Sequence, residues 1–205
     1  MYSLVADNLG KRFGDRKVFS EISFDLHTGD SLAVVGPNGS GKSTLLMLLL
    51  GYYHPTRGSV SFSNGESVLE EEGVRACASM VSPYLSLYDL LTAEENLTFF
   101  STVAGGHVTG KEIDALLARV GLEGRGMDLV GSYSSGMKQR LKYAVALLNE
   151  PAFLFLDEPS SNLDDACKGI VREIIEDYRK QAVIVIATNE KEEESFANQL
   201  CRLDR

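Results

Sequence analysis

The sequence predicts an α/β fold: a mostly parallel sheet core, an N-terminal antiparallel β subdomain and an inserted helical subdomain. Three patterns lead to this prediction. The first 35 residues favour strands, residues 83–150 favour helices, and strands alternate with helices from 151 to 205. Such alternation is typical of parallel strands joined by right-handed crossovers. We therefore expect one domain over 1–205, with its sheet core in 1–82 and 151–205 and its helical subdomain in about 83–150.

The N-terminal part contains three segments in which apolar residues alternate or run together, and these predict strands at SLVADNL, KVFSEISFDL and DSLAVV. A helix is predicted from Lys42 to Gly51, because glycine is a common residue just beyond a helix end. Two shorter strands are expected at GSVSF (58–62) and CASMVS (77–82).

The helical part begins with TAEENLTFFSTVAG, in which Thr92 and Glu95 have the spacing of a capping box. Helical periodicity also marks TGKEIDALLARVGL and SSGMKQRLKYAVALLNE. The last part predicts, in order, the strand FLFLD, the helix DDACKGIVREIIEDYRK, the strand AVIVIAT, a short acidic helix and the segment LCRLD. Continuous apolar runs are typical of buried parallel strands, and ligands bind beyond their carboxyl ends.

The composition argues against some functions. The chain has 205 residues, a net charge of −9 and a pI of about 4.9, which disfavours broad binding to nucleic acid or anionic lipid. Its most apolar stretch, LLMLLLGYY at 45–53, is shorter than the roughly 20 residues of a membrane-spanning helix. The opening residues lack a basic start followed by an apolar core, so no secretory leader is expected.

The strongest motif is GPNGSGKST at 36–44, which fits G-x-x-x-x-G-K-[ST] and lies between a predicted strand and a predicted helix. Its glycines let the backbone bend so that amides turn inward around an anion, and the helix end adds positive potential. Lys42 brings a charge to the outer phosphates of a nucleotide, and the Ser43 hydroxyl suits Mg²⁺. The predicted nucleotide-binding residues are Gly36, Pro37, Asn38, Gly39, Ser40, Gly41, Lys42, Ser43 and Thr44.

A second motif, FLFLDEP at 153–159, places two carboxylates at the end of an apolar strand. Asp157 is predicted near the phosphates, where it can hold Mg²⁺ through water. Glu158 is a candidate general base for the attacking water. Because acid pairs at strand ends are common, this motif gains its weight from the phosphate loop that accompanies it.

A third motif, YSSGMKQRLKYAVALLNEP at 133–151, begins a helix at Ser134, Ser135 and Gly136. A helix N-terminus is suited to an anion, although a simple helix cap explains the same residues.

In order and content these motifs resemble those of the ATP-binding subunit of ABC transporters, over essentially the whole chain. YSSGM resembles the family signature Leu-Ser-Gly-Gly-Gln, and SSNLD at 160–164 resembles its D-loop, with Asp164 as the usual acid. Phe13 lies where the family has an aromatic residue that stacks on adenine, with ordinary packing as the alternative. The resemblance implies a P-loop NTPase (RecA-like) fold, with ATP and Mg²⁺ as cofactors. It also implies a head-to-tail homodimer or pseudo-dimer, in which Ser134 and Gly136 bind the partner's nucleotide in trans.

The sequence departs from the family pattern at two places that matter for catalysis. Where the family has a histidine that contacts the γ-phosphate, this chain has Asn189, which can donate a hydrogen bond but carries no charge. Loss of a whole donor costs roughly 3–4 kcal/mol in the transition state, so we expect slower hydrolysis rather than none. Where the family has a glutamine, Pro83 lies at or next to the position, with Ser82 or Tyr84 as possible substitutes.

The resemblance also implies an integral membrane permease as partner, which would hold the chain at the cytoplasmic face of the membrane. The segment PYLSLYDLL at 83–91 is expected to line the docking groove through some of Tyr84, Leu85 and Tyr88. The alternative is that Leu85, Leu87 and Leu90 pack inward. Two other functions stay open: a soluble ABC-type ATPase of a protein or nucleic-acid machine, and a nucleotide-binding regulatory subunit with little turnover.

Overall fold

The computed structural model describes residues 1–160, 163 and 165–203. In these ranges the chain forms a three-stranded antiparallel sheet, a five-stranded parallel sheet and seven α-helices. The elements run in this order: β1 Ser3–Phe13, β2 Arg16–His27, β3 Ser31–Val35, α1 Lys42–Leu49, β4 Arg57–Ser63, α2 Glu71–Cys77, β5 Ala78–Val81, α3 Ala93–Val103, α4 Gly110–Arg119, α5 Ser135–Leu147, β6 Phe153–Asp157, α6 Asp165–Tyr178, β7 Val183–Thr188, α7 Lys191–Glu194 and β8 Gln199–Arg202.

The N-terminal sheet has the strand order β2-β1-β4, and both of its strand pairs are antiparallel. Strands β1 and β2 form a hairpin whose last register pair is Phe13 with Arg16. Register shifts along β1 bend this hairpin, which is a usual effect of β-bulges. The predicted antiparallel subdomain is therefore confirmed, and Phe13 lies at its turn.

The parallel sheet has the strand order β5-β6-β7-β3-β8, and each neighbouring pair in it is parallel. Every residue of β3, β6 and β7 is buried, as the continuous apolar runs predict. Because β7 lies between β6 and β3, the carboxyl ends of these three strands meet at one edge. The segments that follow them contain the phosphate loop, Glu158 and Asn189.

The parallel sheet separates two hydrophobic cores. In β6, Leu154 and Leu156 belong to a core that includes residues of α3, α4, α5 and α6. The alternate residues Phe153 and Phe155 belong to a second core with α1 and the N-terminal sheet. This two-sided burial follows from the period of two along a strand. It places the helical part on one face of the sheet and the antiparallel sheet on the other.

The prediction missed helix α2, for a clear physical reason. Only Val74 of its seven residues is buried, so the segment carries no apolar periodicity. Among the residues that the structure describes, no helix has both the length and the apolar composition needed to cross a bilayer.

Helices α3 and α4 of the middle part each begin with a capping box. Thr92 caps α3 and forms a complete capping box with Glu95, as predicted. Helix α4 has a second capping box, between Thr109 and Glu112. These caps satisfy backbone amides that no helical carbonyl can reach, and they fix where each helix starts.

A buried asparagine fixes the segment that precedes α3. Asn96 is fully buried, and its side-chain oxygen accepts a hydrogen bond from the Tyr88 amide at 2.8 Å. Its side-chain nitrogen donates to the carbonyl oxygens of Tyr88 at 3.0 Å and Thr92 at 2.8 Å. One side chain therefore stabilises the non-helical residues 88–92, which end the segment predicted to line a docking groove.

We expect Asn96→Ala to lower the free energy of unfolding by about 1–3 kcal/mol, because it leaves the Tyr88 amide without its partner and removes a donor from the carbonyl oxygens of Tyr88 and Thr92. Urea unfolding measures this loss, and hydrogen exchange of the Tyr88 amide should rise. Thr98→Ala, at an exposed site of the same helix, is the matched control and should change neither quantity. Equal stability of the two variants would contradict this role of Asn96.

Candidate functional site

The phosphate loop is confined by tight contacts. At Gly41, which caps α1 with a φ of 104°, a Cβ atom would collide with the Val18 side chain of β2. At Gly36, a Cβ atom would lie 2.6 Å from both the Leu203 carbonyl oxygen and the Ser40 hydroxyl. Glycine is therefore required at both positions: one needs the left-handed backbone, and the other allows close approach. The predicted loop and the helix that follows it are present where the motif placed them.

The charge of Lys42 is turned into this loop. The side chain is 5% exposed, and its Nζ donates to the carbonyl oxygens of Gly36 at 3.0 Å and Pro37 at 3.4 Å. No carboxylate of the described residues forms an ion pair with it. The loop thus holds a buried cation whose only hydrogen-bond partners among the described residues are neutral, which favours an anionic ligand.

Asp157 lies beside the loop at the end of β6. The Ser43 hydroxyl donates to its Oδ1 atom at 3.0 Å, and the residue is only 2% exposed. Burial raises the pKa of Asp157; the Ser43 hydrogen bond and the Lys42 charge act in the opposite direction, while Glu158 adds to the increase. The structure therefore brings together the two predicted metal ligands, Ser43 and Asp157, and no cation of the described residues lies within ion-pair distance of the Asp157 carboxylate.

Glu158 follows Asp157 with a backbone in the left-handed region, at a φ of 50°. Its amide donates to the Ala187 carbonyl oxygen at 2.9 Å. Such a conformation is unfavourable for a residue with a side chain and is kept only when the surrounding contacts enforce it. No hydrogen bond to its side chain is present among the described residues, so only the direction in which this side chain leaves the backbone is restrained by hydrogen bonds.

Asn189 meets the loop directly. Its side-chain Nδ2 donates to the Oδ1 atom of Asn38 at 3.2 Å, and both residues are exposed. The register of the sheet explains this contact, because Thr188 at the end of β7 pairs with Val35 at the end of β3. The structure therefore places the predicted catalytic Asn189 against the predicted phosphate-binding Asn38, a contact that the motifs alone did not indicate.

Phe13 is 46% exposed and is not a core residue. Its ring makes an edge contact with Tyr53 at 5.4 Å between centroids, and Lys11 Nζ lies 4.8 Å from the centroid of Phe13. The hairpin that carries Phe13 also carries Val18, which contacts Gly41 of the loop. The sequence analysis did not select Tyr53, although the adjacent tyrosines 52 and 53 just after α1 could have signalled it.

Ser134 and Gly136 lie at the start of α5, apart from the loop. Ser134 is exposed, and its hydroxyl caps the helix by accepting a hydrogen bond from the Met137 amide at 3.2 Å. Within the part of the chain that the structure describes, no hydrogen bond joins this helix end to residues 36–44. The helix-cap alternative is thus present in the structure, and binding of a partner's nucleotide here stays a prediction.

Lys142 fills the region where the family pattern has a glutamine. Its Nζ donates to the carbonyl oxygens of Ser82 at 3.3 Å and Pro83 at 3.1 Å, and burial lowers its pKa. Ser82 and Tyr84, the possible substitutes for that glutamine, have their side chains engaged locally or exposed. The Ser82 hydroxyl accepts from the Tyr84 amide at 3.2 Å within its own turn, and Tyr84 is 77% exposed. Sequence analysis missed Lys142 because its partners are backbone atoms about 60 residues away.

Residues 83–89 and α5 enclose a groove of about 440 Å³. Leu85 and Leu87 line it, and Leu87 also packs partly against the helical core. Leu90 is 90% exposed, so the alternative that it packs inward is wrong, since no core residue covers it. The wall of the groove includes an ion pair between Lys138 and Asp89 at 2.7 Å.

The predicted D-loop begins at Ser160, which is buried; Asp164 lies outside the described residues. The Ser160 amide donates to Oε1 of Glu193 at 2.9 Å, and the Tyr143 hydroxyl donates to the Pro159 carbonyl oxygen at 3.0 Å. Neither Tyr143 nor Glu193 was selected from the sequence, where each stands as an ordinary helical residue.

The chain matches the family described as ABC transporter over residues 19–161. It is 34% identical over 186 residues to the lantibiotic transport ATP-binding protein SrtF of Streptococcus pyogenes, covering 91% of this chain and 79% of that protein. It is 32% identical over 201 residues to the Nod factor export ATP-binding protein I of Burkholderia orbicola, covering 96% of this chain and 66% of that protein. It is 33% identical over 195 residues to the linearmycin resistance ATP-binding protein LnrL of Bacillus subtilis, covering 93% and 62%. The chain thus spans slightly less than two thirds of the last two relatives.

Solved structures agree with this match. An ATP-binding subunit of an ABC transporter superimposes with a TM-score of 0.83 at 27% identity, over 98% of this chain and 85% of that chain. The fold is also that of the cassette MJ0796, solved as a post-hydrolysis dimer with ADP and Pi, with a TM-score of 0.83 at 23% identity and coverage of 98% and 94%. The predicted P-loop NTPase fold is confirmed. Because the family match covers more than half of its length, the chain belongs to the ABC transporter family of ATP-binding proteins.

Proposed function

We propose that this chain hydrolyses ATP at the carboxyl edge of its parallel sheet and thereby powers a transporter, with residues 1–205 acting as one ATPase domain. The observation that carries the proposal is the convergence of Lys42, Asp157, Glu158 and Asn189 at the phosphate loop. In this division of labour, residues 1–82 and 151–205 form the nucleotide core, and 83–150 form the helical subdomain that meets partners.

The phosphate loop has the properties that a nucleoside triphosphate requires. Its glycines leave the backbone amides accessible, and α1 begins directly at Lys42 with its positive end at the loop. Lys42 already lies among the loop carbonyls and can exchange those neutral partners for phosphate oxygens. Phe13, with Tyr53 beside it, offers an exposed aromatic surface for the base.

The residues beside the loop fit Mg²⁺. A buried carboxylate on Asp157 and a hydroxyl on Ser43 are oxygen donors of the kind that this ion prefers, and they already contact each other. Burial, as the largest cause, raises the pKa of Asp157, and a nearby cation would favour its charged form. When bound, Mg²⁺ neutralises charge on the β- and γ-phosphates.

In this proposal Glu158 acts as the general base that accepts a proton from the attacking water. Its side chain accepts no hydrogen bond from the described residues, so it is available for that water. Asn189 supplies a neutral donor next to the loop, where a protonated histidine would add charge. The site therefore supports modest hydrolysis, and it favours a regulatory subunit with little turnover as the second candidate function.

A second copy of the chain completes the proposed site. The exposed Ser134 and the adjacent Gly136 form a helix start that can bind the γ-phosphate of the partner's nucleotide. In a head-to-tail homodimer or pseudo-dimer, the helix start of one copy and the phosphate loop of the other would both contact one ligand.

The groove between residues 83–89 and α5 is the proposed docking site for an integral membrane permease. The segment that lines it also carries the exposed apolar side chains of Tyr84, Tyr88 and Leu90, which suit a protein partner. Such docking would hold the chain at the cytoplasmic face of the membrane. The relatives named for lantibiotic transport and Nod factor export favour this function, in the export direction, over a soluble nucleic-acid machine.

We expect Glu158→Gln to keep ATP affinity, to lower turnover by about 10²–10⁴-fold through loss of the base, and to trap a dimer with ATP and Mg²⁺. Light scattering and phosphate release measure the two effects. Lys42→Ala is the binding-deficient control, and Glu192→Gln, an exposed acid on α7, is the matched neutralisation. Unchanged turnover, or a strictly monomeric species at high concentration, would count against the proposed site.

We expect Asp157→Asn to raise the unfolding temperature of the nucleotide-free chain at pH 7.5 while it weakens Mg²⁺ binding by about 10–100-fold. The raised pKa means that the folded protein holds its charge unfavourably above that pKa, so wild type regains stability as pH falls through it. The stability gain should therefore shrink toward pH 4. Thermal unfolding across pH tests this, with the exposed Asp114→Asn as control. A less stable Asp157→Asn chain without Mg²⁺ would refute it.

We expect Asn189→His to increase kcat by up to about tenfold, because a positively charged donor stabilises the γ-phosphate better than an amide. The gain should be larger at pH 6 than at pH 8, since an imidazole with an ordinary pKa is protonated only at the lower pH. Steady-state rates across this range provide the test. Asn189→Ala, which lacks any donor, should be slower than wild type. A His variant no faster than wild type at any pH would show that the site is built around asparagine.

A further inference from the structure

Three consecutive residues after β6 are each held by a different part of the chain. The Glu158 amide donates to Ala187 of β7, and the Pro159 carbonyl accepts from Tyr143 of α5. The Ser160 amide donates to Glu193 of α7. The Glu158 side chain has no hydrogen-bond partner among the described residues, so these backbone contacts are the hydrogen bonds that restrain the point from which it extends.

The Tyr143 contact is unusual in its burial. The side chain is fully buried, and the hydroxyl donates at 3.0 Å to the carbonyl oxygen of the residue directly after Glu158. Burial, and next the charge of Glu193, raise the pKa of Tyr143 well above its ordinary value, so the phenol stays a donor. A hydroxyl buried here without a partner would be unfavourable, so the pairing restrains both groups.

Glu193 holds the same segment at the next residue. It is 2% exposed, although glutamate is rarely buried to this extent, and its Oε1 accepts from Ser160 at 2.9 Å. A carboxylate acceptor makes this hydrogen bond stronger than a neutral one. The left-handed backbone of Glu158 thus lies directly before two strong restraints, which can offset the strain of its conformation.

We propose that the Tyr143 hydroxyl is a positioning group for Glu158: it fixes the Pro159 carbonyl and so holds the general base at the attacking water. The inference rests on the proposed function, because it gives Tyr143 a role only through Glu158. Misplacement of a catalytic group by about 1 Å can cost 10²-fold in rate, so one such restraint can matter to turnover.

The Tyr143–Pro159 contact also connects the helix that begins at Ser134 with the segment that carries Glu158. Tyr143 lies nine residues after Ser134 on the same helix, a distance of about 13 Å along its axis. The helix start meets the partner copy's nucleotide, whereas Pro159 adjoins the base that acts on the chain's own nucleotide. One hydrogen bond thus joins the helix that begins at Ser134 to the residue directly after Glu158.

Tyr143→Phe removes the hydroxyl and keeps the ring, so it tests position with little change in packing. We expect kcat to fall about 10- to 100-fold, while the KM for ATP and the binding of a fluorescent ATP analogue stay within about twofold. Tyr178→Phe is the matched control, because Tyr178 is equally buried but its hydroxyl has no partner among the described residues. That control should leave kcat unchanged.

A double-mutant cycle with Glu158→Gln shows whether Tyr143 acts through the base. Adding Tyr143→Phe to Glu158→Gln should lower the residual rate by less than about twofold, because no base remains to be positioned. Thermal unfolding of each variant accompanies the kinetics, and circular dichroism checks that each is folded.

Two results would overturn the inference while the proposed function stands: a kcat for Tyr143→Phe equal to that of Tyr178→Phe, or a parallel loss of ATP binding that shows a general structural role. Should Tyr143→Phe fail to fold, Glu193→Met, which removes the acceptor of the Ser160 amide at similar side-chain length, tests the same segment, and its kcat must then fall with KM unchanged. If instead Glu158→Gln turns over ATP as fast as wild type, the proposed function itself is refuted.

Discussion

The phosphate loop works only because nothing larger than glycine fits at two of its positions. A Cβ atom at position 41 would collide with Val18 of the N-terminal sheet. A Cβ atom at position 36 would lie too close to the Leu203 carbonyl oxygen, after the last strand. The loop conformation is thus fixed by both ends of the described chain at once. A local motif of nine residues therefore depends on contacts with segments that lie far from it in sequence, and an isolated loop would not keep this shape.

Electrostatics in the site follow from that confinement. Lys42 and Asp157 are both nearly inaccessible to water, and neither has an ion-pair partner among the described residues. Burial opposes both charges, and the proposed triphosphate and Mg²⁺ would supply the missing opposite charges. The nucleotide-free protein is thus less stable than its packing alone would allow, and ligand binding relieves the imbalance. This is a common relation between function and stability at binding sites.

Sequence analysis predicted the parts whose signals are local. Apolar runs gave β6 and β7, the Thr92–Glu95 spacing gave the start of α3, and the glycine pattern gave the loop. It missed α2, which buries a single residue, and it missed Lys142, Tyr143 and Glu193, whose partners are backbone atoms remote in sequence. Such contacts depend on how strands are ordered in the sheet, which no periodicity within one segment encodes.

The division of the molecule into two cores by the sheet has a consequence for its evolution. Alternate residues of β6 enter different hydrophobic layers, one shared with the helical part and one with α1 and the antiparallel sheet. A change of volume in one layer is absorbed mostly by its own neighbours, because distant substitutions combine almost additively. A substitution in the helical layer can therefore be accommodated without repacking the layer behind the phosphate loop, so the two sides of the sheet are free to diverge independently.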